Sequence, residues 1–168
     1  KPMLLAKRVT GAFPDMPALR KLYISAFPAK ERDPLTALLP VHHDGHDLLA
    51  FYHEKEFCGF ASLLTYKTIT HILYIAICDR FRDHHYGSEA MRILCSRYPG
   101  HRILADLETV EPGAPNLDQR KSRVHYYLTA GFRKTDIAYR WQDEDYVIYV
   151  HGGDITLPEF QEYWDHFS

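Results

Sequence analysis

Ile75-Ala76-Ile77-Cys78-Asp79-Arg80-Phe81-Arg82-Asp83-His84-His85-Tyr86-Gly87-Ser88-Glu89-Ala90-Met91 runs from an apolar strand through a short basic loop into an amphipathic helix. Ala90, Met91, Leu94, Cys95 and Tyr98 mark one apolar face of that helix. The first turn of any helix leaves main-chain N–H groups without intrahelical partners and carries the positive end of the dipole. A pyrophosphate can therefore be held there largely by backbone. Arg82, with Arg80, His84 and His85 nearby, adds donors and positive charge, and Gly87 permits close backbone approach. The stretch predicts a phosphate cradle made by Arg82, Asp83, His84, His85, Tyr86, Gly87 and Ser88.

Upstream, the patterning predicts a strand over Met3 to Thr10, a helix over Pro14 to Phe27 and a short helix over Pro34 to Leu39. Strands follow at Leu48 to His53, Phe57 to Tyr66 and Ile69 to Cys78. Glu54-Lys55-Glu56 and Lys67-Thr68 separate them, as in a meander of antiparallel hairpins. Downstream come a helix over Tyr86 to Arg97, a break at Pro99-Gly100 and a strand over Arg102 to Glu108. Glu111 to Asn116 reads as a loop, and Gln119 to Ala130 as a helix with Gly131 as its cap. Two strands, Lys134 to Trp141 and Tyr146 to His151, turn at Asp143-Glu144, and a last helix covers Pro158 to His166. The order predicts an α/β mixed fold.

With 168 residues, 46% of them hydrophobic, the chain suits a single domain over 1–168. A net charge of −2 argues against a general nucleic-acid binder. Positive charge is local, around Arg80 to His85 and Arg120 to Arg123. Cys58, Cys78 and Cys95 are odd in number and lie in apolar elements, which suits reduced thiols and a cytoplasmic location. No segment has the length of a membrane span. His42-His43-Asp44-Gly45-His46 lacks the spacing of a metal set and reads as a loop, so no metal is expected.

Arg82-x-x-His85-x-Gly87 resembles the acetyl-CoA loop of the GCN5-related N-acetyltransferases (GNAT), which reads Gln/Arg-x-x-Gly-x-Gly/Ala. His85 stands in the place of the first motif glycine, and Asp83 where many members have another. Histidine tolerates positive φ better than a β-branched residue, so the turn stays possible. Arg120 to Phe132 is similar to the family's next block, a helix ending in an aromatic-Tyr-x-x-x-Gly-Phe signature. Leu22 to Pro34 resembles the first helix and following elbow. The three matches keep the family order and span most of the chain.

The resemblance to this family, in its bacterial type, implies a mostly antiparallel mixed sheet flanked by helices. It also implies transfer of acetyl from acetyl-CoA, leaving CoA, to a primary amine of a small molecule or peptide by direct attack. On that reading Ile75 and Ile77 offer backbone to the pantetheine arm, Asn116 and Arg123 lie beside the cofactor, and Tyr127 protonates the departing thiolate. The plainer alternative for Tyr127 is a core tyrosine on the stripe of Val124, Leu128 and Gly131.

Glu108, on the same strand face as Asp106, is expected as base or amine-orienting residue, with His71 second and water a further possibility. The bland readings are a strand-end carboxylate facing water and an exposed strand histidine. Asn116 also fits a simple turn former. Tyr23, Phe27 and Tyr74 fit either an acceptor pocket or core, and Phe160, Tyr163, Trp164 and Phe167 either the chain's own core or a partner, so monomer and homodimer both stay open. An inactive module that only binds CoA or a metabolite is the alternative function, favoured by Asp83 and His85; Tyr127 and Gly131-Phe132 favour the enzyme.

Overall fold

The computed structural model describes residues 4–32 and 44–167, apart from the side chains of Lys30, Asp83 and His84. Seven strands are present: β1 (Leu4–Arg8), β2 (His46–His53), β3 (Glu56–Tyr66), β4 (Ile69–Ile77), β5 (Arg102–Glu108), β6 (Arg133–Trp141) and β7 (Glu144–His151). They form one mostly antiparallel sheet in the order β1-β2-β3-β4-β5-β7-β6. Helices α1 (Met16–Ala26), α2 (Tyr86–Arg97), α3 (Leu117–Thr129) and α4 (Leu157–Phe167) flank it, giving the mixed α/β architecture the patterning predicts. The helix expected over Pro34 to Leu39 lies outside the described residues. The chain divides into two compact units, Lys1–Thr65 with Ile72–Arg97, and Tyr66–His71 with Tyr98–Ser168.

In the first unit β1, β2 and β3 pair antiparallel, with Leu5 opposite Tyr52, Leu49 opposite Ala61 and a bulge between Phe51 and Tyr52. Leu19, Leu22 and Tyr23, spaced to share one face of α1, pack with Leu48, Ala50, Phe60 and Tyr74. Each fully buried side chain of this size contributes about 1.5–3 kcal/mol. Pro17 is accommodated in the first turn, where no N–H is needed. Asp15, at the cap position, gives its carboxylate to the Tyr52 hydroxyl at 2.7 Å instead of to helix amides. The helix ends before Phe27-Pro28. Tyr74 meets Tyr23 at 5.0 Å and Phe27 at 4.9 Å between ring centres, so this aromatic group is core packing. Ala90, Met91 and Leu94 form the buried face of α2.

In the second unit β7 pairs antiparallel with both β5 and β6, setting Asp106 opposite Ile148 and Glu108 opposite Tyr146. The β6–β7 register shifts between Lys134 and Ala138, where Thr135 Oγ1 donates to Ile148 O at 2.7 Å and accepts from Ile137 N–H. The connecting turn falls at Gln142-Asp143, φ 53° and 63°, one residue earlier than Asp143-Glu144. Phe160 and Tyr163 are the buried residues of α4, and Trp164 packs 5.5 Å from Tyr139. The C-terminal aromatic cluster thus docks on this chain's own second unit.

Candidate functional site

The loop after β4 belongs to the first unit. Cys78 is extended, Asp79–His84 make a tight 3-10 turn, and His85 adopts the left-handed conformation, φ 64° and ψ 15°, immediately before α2. In the first turn of α2 the Glu89 N–H bonds to His85 O at 3.1 Å, which ties the helix start to the left-handed residue. Glu89 would oppose an anion at this helix end, but Arg92 holds its carboxylate with two contacts of 2.6 and 3.0 Å.

Arg82 pairs with Asp79 at 2.9 Å and approaches Ile77 O at 3.4 Å. Arg80 pairs with Glu56 at 2.9 Å and lies over the Phe81 ring. Such exposed pairs are worth about 0–1 kcal/mol, so either guanidinium can exchange its carboxylate for a phosphate at small cost. The left-handed residue, the helix end and two weakly committed arginines fit a diphosphate. Ile75 is half-buried within β4 and Ile77 ends it. A cavity of about 660 Å³ in the same unit is lined by residues that include Lys21, Ser25, Lys55, Cys78 and Arg80; no sequence signal marked it.

Tyr127, in the second unit, is tied to the end of α3. Phe132 N–H bonds to Tyr127 O at 3.0 Å and Gly131 N–H to Leu128 O at 3.1 Å, while Gly131 takes φ 92°. This is a Schellman closure, completed by ring contact between Tyr127 and Phe132 at 5.0 Å. Tyr127 is 6% exposed, so it is a core residue by packing whatever its chemistry.

Glu108 is not a strand-end carboxylate facing water. Its side chain is 9% exposed and lies 3.0 Å from Arg120 and 3.6 Å from Arg123, both on α3. Arg120 also contacts Glu144, Thr109 O and Asn116 Oδ1. Asn116 takes the N-cap position of α3, which therefore begins two residues before the expected Gln119. Glu108, Asn116 and Arg123 form an anchor for this helix, a role that alternation along β5 could not reveal.

His71 is buried rather than exposed. Its Nδ1 meets the Tyr163 hydroxyl at 2.5 Å and its Nε2 bonds Asp106 Oδ1. The Tyr139 hydroxyl donates to Asp106 Oδ2. Burial and the neighbouring Asp106 push the phenols of Tyr139 and Tyr163 up, keeping both protonated. Asp106, Tyr139 and Tyr163 were not expected as a set with His71; they come from three other elements, separated from it by 35 to 92 residues.

Of the His42–His46 segment, His42 and His43 lie outside the described residues, and His46 is buried on β2 with Nε2 2.7 Å from Ser62 Oγ. Among the described residues no group of three potential ligands could hold a metal ion, and no helix is long and apolar enough to cross a membrane.

Comparison of the fold finds a GNAT-family protein of Bacteroides thetaiotaomicron at TM-score 0.74 and 18% identity, covering 96% of this chain and 94% of the other. A GNAT acetyltransferase of Elizabethkingia anophelis with acetyl-CoA bound aligns at TM-score 0.59 and 16% identity, over 88% and 97%. The ribosomal-protein alanine N-acetyltransferase of Escherichia coli aligns at 0.62 and 15%, over 92% and 96%. No curated protein sequence matches. The acetyltransferase (GNAT) family profile matches residues 16–132, well over half of the chain and inclusive of the α2 loop and the α3 closure. The chain belongs to the GNAT acetyltransferase family.

Proposed function

We propose that the protein, acting as one domain over 1–168, transfers an acetyl group from acetyl-CoA to a primary amine of a small molecule or peptide by direct attack. The observation that carries this reading is His85 at φ 64°, supplying at the start of α2 the turn that the family motif assigns to glycine. A family relative was solved with acetyl-CoA bound, and another acts on an alanine of a ribosomal protein. Bound acetyl-CoA supplies the activated thioester.

The main chain of Tyr86, Gly87 and Ser88 at the start of α2 and the guanidinium of Arg82 hold the diphosphate, with His85 adding a donor. The backbone of Ile75 and Ile77 aligns the pantetheine arm. Tyr127 gives its hydroxyl proton to the leaving sulfur, from a position fixed by the helix closure. Of the two expected bases, His71 keeps partners that can exchange protons, whereas Glu108 is committed to two guanidiniums that cannot. Glu108 is therefore assigned to holding α3.

Calorimetric titration with acetyl-CoA and with CoA tests the reading. Micromolar binding, lost in Gly87→Val, followed by thiol release in the presence of primary amines, is expected. Absence of binding to the unaltered protein would overturn it.

A further inference from the structure

We infer that the cavity between α1 and the β2–β3 turn is a binding site for a small organic anion with an apolar body, separate from the place of the diphosphate. Every residue that lines it belongs to the first unit. Its volume of about 660 Å³ is that of a small-molecule site. Two stripes run side by side along α1. Leu19, Leu22 and Tyr23 are buried in the core, while Ala18, Lys21, Leu22 and Ser25, three or four residues apart, line the cavity. Ala18 and Ser25 are short, so Lys21 is the one long polar side chain that α1 places there.

The opposite wall is the turn from β2 to β3. Glu54, at φ 57°, and Lys55 close it in two residues between His53 and Glu56, which pair across the strands. So short a turn leaves the backbone of Lys55 little latitude on the rim. Leu22, Phe57 and Cys78, all in or against the core of this unit, make an apolar floor.

The charges decide the ligand. Three carboxylates reach the cavity, and each is committed. Asp15 accepts from the Tyr52 hydroxyl at 2.7 Å, Glu56 pairs with Arg80 at 2.9 Å and Asp79 with Arg82 at 2.9 Å. Asp15 also stands at the positive end of α1, which offsets its charge. Lys21 and Lys55 are exposed and, among the described residues, have no carboxylate partner. Two ammonium groups from separate elements thus share one cavity above an apolar floor, a layout that suits a phosphate or carboxylate carried on an aromatic or aliphatic body. A cation would be repelled there, and a neutral molecule would use the floor alone.

The test is calorimetric titration of the unaltered protein with 1-naphthyl phosphate and 1-naphthoate, with 1-naphthalenemethanol as the neutral control and 1-naphthylmethylamine as the cationic one. Saturable binding of an anion, at least about tenfold tighter than either control, is expected. Lys21→Gln and Lys55→Gln, outside the acetyl-CoA machinery, should each weaken it about fivefold. Location is read separately. Alkylation of Cys78 by iodoacetamide, followed by peptide mass, should be slowed by the bound anion, whereas Cys58 and Cys95, which do not line the cavity, keep their rates. When CoA saturates the loop, Arg82 turns from Asp79 to the diphosphate and returns one carboxylate to the rim. Anion affinity should then fall about fivefold and level off. The inference is overturned if neither anion binds more tightly than the controls, if both lysine variants bind like the unaltered protein, if Cys78 is not protected, or if added CoA displaces the anion completely. Failure of the acetyl-transfer reading is distinguishable, since it appears as absence of acetyl-CoA binding while the anion still binds.

Discussion

Replacing Arg120 by methionine should destabilise the second unit by about 3 kcal/mol. The guanidinium is 7% exposed and lies 3.0 Å from Glu108 and 3.0 Å from Glu144. It also donates to Thr109 O at 2.9 Å and to Asn116 Oδ1 at 2.8 Å. Removing one member of a buried ion pair costs about 3–5 kcal/mol, because the partner is left charged and unsolvated. The lower end applies here. Glu144 is 21% exposed and can turn to water, and Glu108 retains Arg123 at 3.6 Å.

For a chain of this length the loss corresponds to a fall of about 6–12 °C in melting temperature. Fluorescence is a suitable probe, since Trp141 and Trp164, the only tryptophans, both belong to the unit that holds Arg120. Adding Glu108→Gln to Arg120→Met should restore about 1 kcal/mol by removing the stranded charge. A loss below about 1 kcal/mol in the single variant would refute the assignment of Glu108 and Arg120 as the anchor of α3.

Tyr127→Phe should lower turnover more than about tenfold with acetyl-CoA affinity nearly intact, as measured by steady-state kinetics beside calorimetry; unchanged turnover would remove the hydroxyl from the mechanism. Gly59→Ala should cost about 1–3 kcal/mol in urea unfolding, because an added Cβ would lie 2.3 Å from Ala76 O and 2.8 Å from Ile77 Cδ1. Burial pushes the Cys58 and Cys95 thiols from their usual 9.0 up to about 11. The folded chain holds these protons more tightly than the unfolded one, so stability falls as pH rises between those values. Reaction of both with a disulfide reagent at neutral pH should be slow until urea is added.

Much of the fold was legible because its signals are local. Apolar runs bounded by Glu54-Lys55-Glu56 and Lys67-Thr68 marked β2, β3 and β4, Lys67 does take φ 53° in the second of these turns, and Gly131 marked the end of α3. The turn between β6 and β7 was displaced by one residue because Asp143-Glu144 looks no weaker as a turn pair than Gln142-Asp143; cross-strand register, not local preference, sets the outcome.

Candidate residues on the loop were found because a motif is also local. The surroundings of Glu108 and His71 were not legible. Alternation tells which face a strand residue occupies but not what covers it, and both were expected to face water unless they served catalysis. Arg120 covers the first from the following helix, and Tyr163 reaches the second across 92 residues of sequence.

The Schellman closure at the end of α3 restricts changes of chain length as well as of residue type. Its two hydrogen bonds are rings of fixed size, from Phe132 back to Tyr127 and from Gly131 back to Leu128. One residue inserted or deleted between them would rotate Tyr127 by about 100° around the helix axis relative to the strand that follows. The interval should therefore reject every insertion and any side chain at Gly131, whereas the Glu111–Asn116 loop before α3 lies outside these rings and can grow or shrink without moving the tyrosine relative to its cap.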